Sequence, residues 1–233
     1  MCSTQRGVSP LPPARGGMRI LGLTGGMGMG KSTVAAMLAR AGLPVFDADA
    51  TVRSLQAENG AALPAIARLV PSAVHNSHLD RAVLRQAVVT QPGLLRQLER
   101  IMHPMVWAAR NRFLAHYRQL GTPWVVLDVP LLFEAGGNRL CDYVMVVSAP
   151  PWVQAARVAK RRNVPVAEAR KLIARQMPDA RKRLLAEIVI ETGVPLAQTQ
   201  RLGRTILRAL KARNTLCGLI RKPPALTQLP GIG

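Results

Sequence analysis

The stretch Ile20-Leu21-Gly22-Leu23-Thr24-Gly25-Gly26-Met27-Gly28-Met29-Gly30-Lys31-Ser32-Thr33 decides how the rest of the chain is read. It opens as an apolar run, passes through four glycines between residues 25 and 30, and ends in Lys-Ser at the head of a helical pattern. Strand, tight loop and helix are the expected succession, and residues 25–32 satisfy G-x-x-x-x-G-K-[ST]. Glycines permit backbone conformations that turn successive N–H groups inward, and a helix N-terminus adds partial positive charge. The expected ligand is a nucleotide phosphate, held by Gly26, Met27, Gly28, Met29, Gly30, Lys31, Ser32 and Thr33. Lys31 is expected to reach the β- and γ-phosphates of ATP, the Ser32 hydroxyl to ligate Mg²⁺, and Thr33 to lie near the α-phosphate. Such a loop leaves the reaction open, because kinases, GTPases and motor ATPases all use one.

Outward from this loop, short apolar runs recur at residues 44–46, 124–129, 143–148 and 188–190, with helical patterns between them. With residues 20–24 they make five strands, and the alternation predicts an α/β fold: three layers around a five-stranded parallel sheet. The first helix should run from Lys31 and stop by Gly42. Residues 50–119 are helical in pattern, with turn signals at Asn59-Gly60, Pro71 and Pro92-Gly93; that is too long for a simple crossover and reads as a helical acceptor-binding lobe. Residues 151–185 form a second, basic helical excursion, read as a lid. Residues 1–17 are rich in Pro, Gly and Ser without apolar periodicity and read as a disordered leader; residues 214–233 read as a loose tail. The domain proper is then 18–213.

Composition narrows the class. The chain has 233 residues, 48% hydrophobic but only 3% aromatic, so its interior is built from aliphatic residues and methionine, as suits a parallel sheet covered by helices. The formal charge of +20 raises the question of nucleic acid. Against that, 26 of the 32 basic residues are Arg, and the aromatic interleaving of a base-stacking platform is missing. No obligate nucleic-acid partner is expected; an Arg-rich pocket for phosphorylated small molecules is. Cys2, Cys141 and Cys217 have no paired spacing, which suits a reducing cytoplasm, and no apolar run approaches the roughly 18 residues of a membrane span.

Acidic residues at predicted strand ends are candidates for chemistry, because ligands of open α/β sheets bind beyond the carboxyl ends of the strands. In Val45-Phe46-Asp47-Ala48-Asp49 either carboxylate could orient an acceptor hydroxyl or take its proton, and either could instead cap the helix that follows. Asp49 is the stronger catalytic candidate. Val125-Val126-Leu127-Asp128 ends a strand in a carboxylate that could support Mg²⁺, or could cap or pair with an Arg. Glu134 is a candidate for shaping the pocket. Arg157 and Arg161, four apart on one helix face, could close on transferring phosphate, or could be part of a solvated basic helix. Between residues 151 and 213 there are 15 basic and 4 acidic residues, a net of +11.

These motifs together resemble the dephospho-CoA kinase family. The resemblance is carried by residues 22–33 and 45–49, then in order by Leu79-Asp80-Arg81, by Leu98-Glu99-Arg100-Ile101-Met102-His103-Pro104, and by Leu127-Asp128-Val129-Pro130-Leu131-Leu132-Phe133-Glu134. Gln154 with Arg157 and Arg161, then Arg175-Gln176, resemble that family's lid. The likeness covers residues 18–213. It implies transfer of the γ-phosphoryl of MgATP to the ribose 3′-hydroxyl of dephospho-CoA, with Asp49 as base or hydroxyl-orienting residue and Arg81 and His103 on the acceptor side. Read alone, His103 could equally be a helix-terminal histidine before Pro104. Another small-molecule kinase and a nucleic-acid-dependent ATPase are the competing readings. Two departures from the family pattern bear on structure. Met27 and Met29 stand where smaller or branched residues are common and are expected to point outward, and Glu187 stands where Asp is usual, on what is expected to be the adenine side.

Overall fold

The computed structural model describes residues 17–211; residues 1–16 of the expected leader, residues 212 and 213 of the expected domain and the whole expected tail, 214–233, lie outside the described residues. The elements are β1 (Arg19–Thr24), α1 (Lys31–Arg40), β2 (Val45–Asp47), α2 (Ala48–Leu55), α3 (Leu63–Leu69), β3 (Val74–His75), β4 (His78–Leu79), α4 (Arg81–Thr90), α5 (Leu94–Gln119), β5 (Trp124–Asp128), β6 (Tyr143–Ser148), α6 (Pro151–Arg162), α7 (Val166–Ile173), α8 (Asp179–Leu185), β7 (Ile188–Glu191) and α9 (Leu196–Lys211). Two compact units emerge, one from residues 17–45 with 121–211 and one from Phe46–Leu120.

The five-stranded sheet has the order β2-β5-β1-β6-β7, with β1 central and parallel to β5 and β6. The register pairs Leu21 with Val126 on one side and with Tyr143 on the other. Leu21, Leu23, Val125, Val126, Met145 and Val146 have no exposed surface, as expected of strands covered on both faces. α1 and α9 pack on one face through Val34, Leu38, Ile206 and Leu210. Gly42, at φ +86°, ends α1 where the sequence placed its stop, in a left-handed conformation that costs glycine little.

Two carboxylates finish the opposite, amino-terminal edge of the sheet. Asp142 Oδ2 accepts from the Ile20 N–H at 2.7 Å, and Glu187 Oε2 accepts from the Val144 N–H at 2.7 Å. Glu187 therefore does not lie at the loop end of the strands, where an adenine was expected. It stands just ahead of β7, and burial raises its carboxyl above the ordinary glutamate value.

The second unit packs Leu63, Ile66, Leu79, Leu94, Leu98 and Met102 into its own core. Two features of the expected helical lobe could not be read from its pattern. Val74–His75 and His78–Leu79 pair as an antiparallel hairpin, turned by Asn76 and Ser77 at φ 47° and 60°. α5 also runs 26 residues straight through Pro104, so His103 is mid-helix rather than terminal. A proline there forfeits the bond to the carbonyl four residues back, at about 3 kcal/mol. Leu94, Leu98, Met102 and Leu114, buried along the same helix, offset that loss.

Candidate functional site

The glycine loop leaves the C-terminal end of β1, the strand at the centre of the sheet. Gly28 and Gly30 have φ of 77° and 86°, where any other residue would be strained. Space requires glycine as well: a Cβ on Gly28 would sit 2.7 Å from Val158 Cγ2. Gly30 precedes α1 and supplies no side-chain cap, and the first turn holds no acidic residue, so the amino end of this ten-residue helix keeps its positive character for an anion.

Side chains from distant segments hold the loop from behind. Thr192 Oγ1 donates to the Met29 carbonyl at 2.5 Å, and Arg157 donates to the Gly28 carbonyl at 3.4 Å and to the Thr192 carbonyl at 2.7 Å. Met29 is 1% exposed and lies within the main core, its Sδ accepting from the Ala149 N–H at 3.1 Å. The outward orientation expected of Met29 is thus corrected: the loop is anchored in the core by its own side chain. A thioether can fill such a gap because it is apolar, unbranched and a weak acceptor.

Ahead of it, Met27 has both backbone groups occupied. Its N–H donates to Gln176 Oε1 and its carbonyl accepts from Gln154 Nε2, each at 2.9 Å. Lys31, the first residue of α1, forms an ion pair with the buried Asp128 at the end of β5. Ser32 and Thr33 are exposed in the first turn of α1, and Arg161 is exposed one turn beyond Arg157 on α6.

Beside the loop lies a cavity of about 300 Å³ lined by Gly26, Met29, Gln154, Ile173, Gln176 and Asp179. Asp179 bonds Ser148 Oγ at 2.7 Å, and Arg183 links the same hydroxyl to Glu191. Burial is the leading influence on Asp179 and pushes its carboxyl up. The segment from Met177 to Lys182 is pinned by Glu134, whose Oε1 accepts from the Met177 N–H at 3.3 Å and lies 2.8 Å from the Nζ of fully buried Lys182. Thr192 escaped the sequence reading. Its only signal is its place directly after an apolar strand, the location shared by Gly25; Asp128 is the last residue of its own strand.

In the second unit Asp47 is the N-cap of α2, accepting from the Ala50 N–H at 2.8 Å. Asp49 sits exposed in the first turn of that helix. Asp80 caps α4 through the Ala82 and Val83 N–H groups, and those two bonds hold its carboxyl below the ordinary aspartate value. Arg81 is the first residue of α4, exposed to solvent. His103 lies on the exposed side of α5, stacked on Trp107 with ring centroids 5.9 Å apart.

The family model for dephospho-CoA kinase matches residues 19–198. The dephospho-CoA kinase of Gluconobacter oxydans is 50% identical over 198 residues, covering 83% of this chain and 98% of that protein. That of Bradyrhizobium diazoefficiens is 48% identical over 176 residues, covering 76% and 87%. Among solved structures, a protein from Thermus thermophilus is similar with a TM-score of 0.69 at 34% identity, covering 85% of this chain and 98% of that one. The dephospho-CoA kinase from Campylobacter jejuni gives 0.58 at 18% identity, covering 83% and 97%, a likeness of fold.

Proposed function

The chain belongs to the dephospho-CoA kinase family, and from that premise we propose how its own residues carry ATP-dependent phosphorylation of the ribose 3′-hydroxyl of dephospho-CoA, the last step of coenzyme A synthesis. The observation that supports it most is the glycine loop on the central strand, with Lys31 at the head of α1 against the buried carboxylate of Asp128. Lys31 is the cation of the pair: its ammonium neutralises charge on the β- and γ-phosphates, while the N–H groups opening α1 receive the remaining oxygens.

Ser32 and Asp128 offer hydroxyl and carboxylate oxygens, the hard donors that suit Mg²⁺ shared with substrate phosphates, so these residues fit the ion. Bound there, Mg²⁺ would supply neutralisation of charge on the substrate phosphates. Arg157 and Arg161 add guanidinium charge from the lid helix. On the acceptor side we assign Asp49 to orienting the hydroxyl or taking its proton, and Arg81 and His103 to binding dephospho-CoA. Asp47 is spent on capping α2, which leaves Asp49 as the carboxylate of that pair available for chemistry. Among the described residues no helix is long and apolar enough to cross a membrane, and the scattered cysteines suit a cytoplasmic setting.

A coupled ADP-release assay tests the reading: dephospho-CoA should be turned over and nucleoside monophosphates and sugar acids refused. Turnover of a nucleoside monophosphate in preference to dephospho-CoA would overturn it. Asp49→Asn tests the acceptor side separately, since it keeps shape and loses basicity. It should cut kcat by about 10²-fold with ATP affinity retained, in the range of a positioned acid or base.

A further inference from the structure

A loop with glycine at residues 25, 26, 28 and 30 has little intrinsic preference for the conformation that binds phosphate. Something outside it must remove that freedom. From Gly28 to Gly30 the restraint is plain: Arg157 on the Gly28 carbonyl, Thr192 on the Met29 carbonyl and the Met29 side chain in the core. At Met27 the restraint is a pair of primary amides, from positions 127 and 149 residues away in sequence.

The polarity of the pair is forced. A peptide N–H can face only the oxygen of Gln176, and a peptide carbonyl can face only the nitrogen of Gln154. Gln154 is 6% exposed on α6, and a polar group is buried to that degree at a cost unless its bonds are made. Gln176 is fixed by its neighbour, because the Met177 N–H is bonded to Glu134, itself paired with the buried Lys182.

We infer that Gln154 and Gln176 are positioning residues that hold the two peptide units on either side of the Met27 Cα and so aim the N–H groups of the following residues at the nucleotide phosphates. This rests on the nucleotide reading of the loop and not on the identity of the acceptor. Removing either amide returns rotational freedom to the peptide unit it held, and nucleotide binding must then order that unit again at a cost in affinity.

ADP binding measured by titration calorimetry with Mg²⁺ and no acceptor tests this on the full chain. Gln154→Met and Gln176→Met should each weaken ADP by about tenfold, the scale of one lost hydrogen bond. The double variant should lose clearly less than the product of the two, because both amides restrain the same residue, Met27, one on each side of its Cα. Gln154→Glu and Gln176→Glu add the same charge, but a carboxylate can accept from the Met27 N–H and cannot donate to its carbonyl. Q154E should therefore bind ADP about tenfold more weakly than Q176E.

Unchanged ADP affinity in Q154M and Q176M, or equal affinities in the two glutamate variants, would overturn the inference. Tighter binding in Q176M would also overturn it, by showing that Gln176 competes with the phosphate for the Met27 N–H. Should buried position 154 not tolerate replacement, Q176M against Q176E still decides, since only the second keeps the acceptor. Wild-type protein that binds ADP but leaves dephospho-CoA unphosphorylated would sink the acceptor reading and leave this one standing.

Discussion

Replacing Glu134 by alanine should destabilise the protein far more than the loss of a partly exposed glutamate ordinarily does. The reason is Lys182, which has no exposed surface and whose Nζ sits 2.8 Å from Glu134 Oε1, with no well-formed hydrogen bond to any described group. Alanine leaves that ammonium buried without its counter-charge. Breaking a buried pair from one side costs about 3–5 kcal/mol. The lower end applies here, about 3 kcal/mol, because Glu134 keeps 25% of its side-chain surface in water and the pair is partly hydrated. For a chain of this size each kcal/mol moves the midpoint by about 2–4 °C, so thermal melts at pH 7 should show a fall of about 6–12 °C. Lys182→Met removes the charge instead of stranding it, leaving a glutamate that can turn to water, and should cost much less. The double variant Glu134→Ala with Lys182→Met should recover most of the loss, since a buried pair can often be exchanged for apolar residues of similar volume. An E134A midpoint within about 2 °C of wild type, or a K182M loss as large as that of E134A, would refute the reasoning.

Three further outcomes can be checked. Met29→Ala should cost about 2–5 kcal/mol and Met29→Leu under about 1.5 kcal/mol, read from denaturant melts, because the first leaves a cavity in the core and the second conserves volume. Lys31→Ala should cut turnover by about 10²–10³-fold and also lower the midpoint, since Asp128 is buried and loses this partner; adding Asp128→Asn should restore the midpoint but not the turnover. The third outcome concerns Glu187, whose carboxyl is raised by burial above its ordinary value of 4.5. A carboxyl raised on folding is protonated more readily in the folded chain, so wild-type stability falls as pH rises from that value through the folded one. Glu187→Gln, which keeps an acceptor for the Val144 N–H, should melt above wild type at pH 8, with the gain vanishing near pH 4; a gain that is the same at both pH values would count against burial as the cause.

The parts legible in the sequence are those where one local rule dominates. β1, β5 and β6 are covered on both faces, so each is a continuous apolar run that needs no partner to be seen. The glycine loop is legible because its letters report required backbone freedom. The parts that stayed hidden depend on the direction of a side chain in a segment without a period. Met29 lies in a loop, where neither the helical nor the strand repeat says which way it faces, and it faces the core. The Asn76-Ser77 turn lacks the glycine that usually marks such hairpins, and Pro104 stands in a helix whose packing outweighs a local penalty. Glu187 was misplaced because its run reads equally well as leading to a nucleotide or as finishing a sheet edge; only the pairing of β6 with β7 tells the two ends apart.

The glutamines are the deepest case. Gln154 and Gln176 can be noticed in the sequence as part of a lid, but nothing in the sequence says that one must donate and the other accept. That assignment exists only once the two peptide units flanking Met27 have their orientations. The loop's glycines make its phosphate-binding shape possible without making it preferred, and the preference comes from side chains more than a hundred residues away. A glycine loop grafted with its own strand and helix alone should therefore bind nucleotide poorly, whereas one that brings α6 and the segment around Gln176 carries its restraint with it.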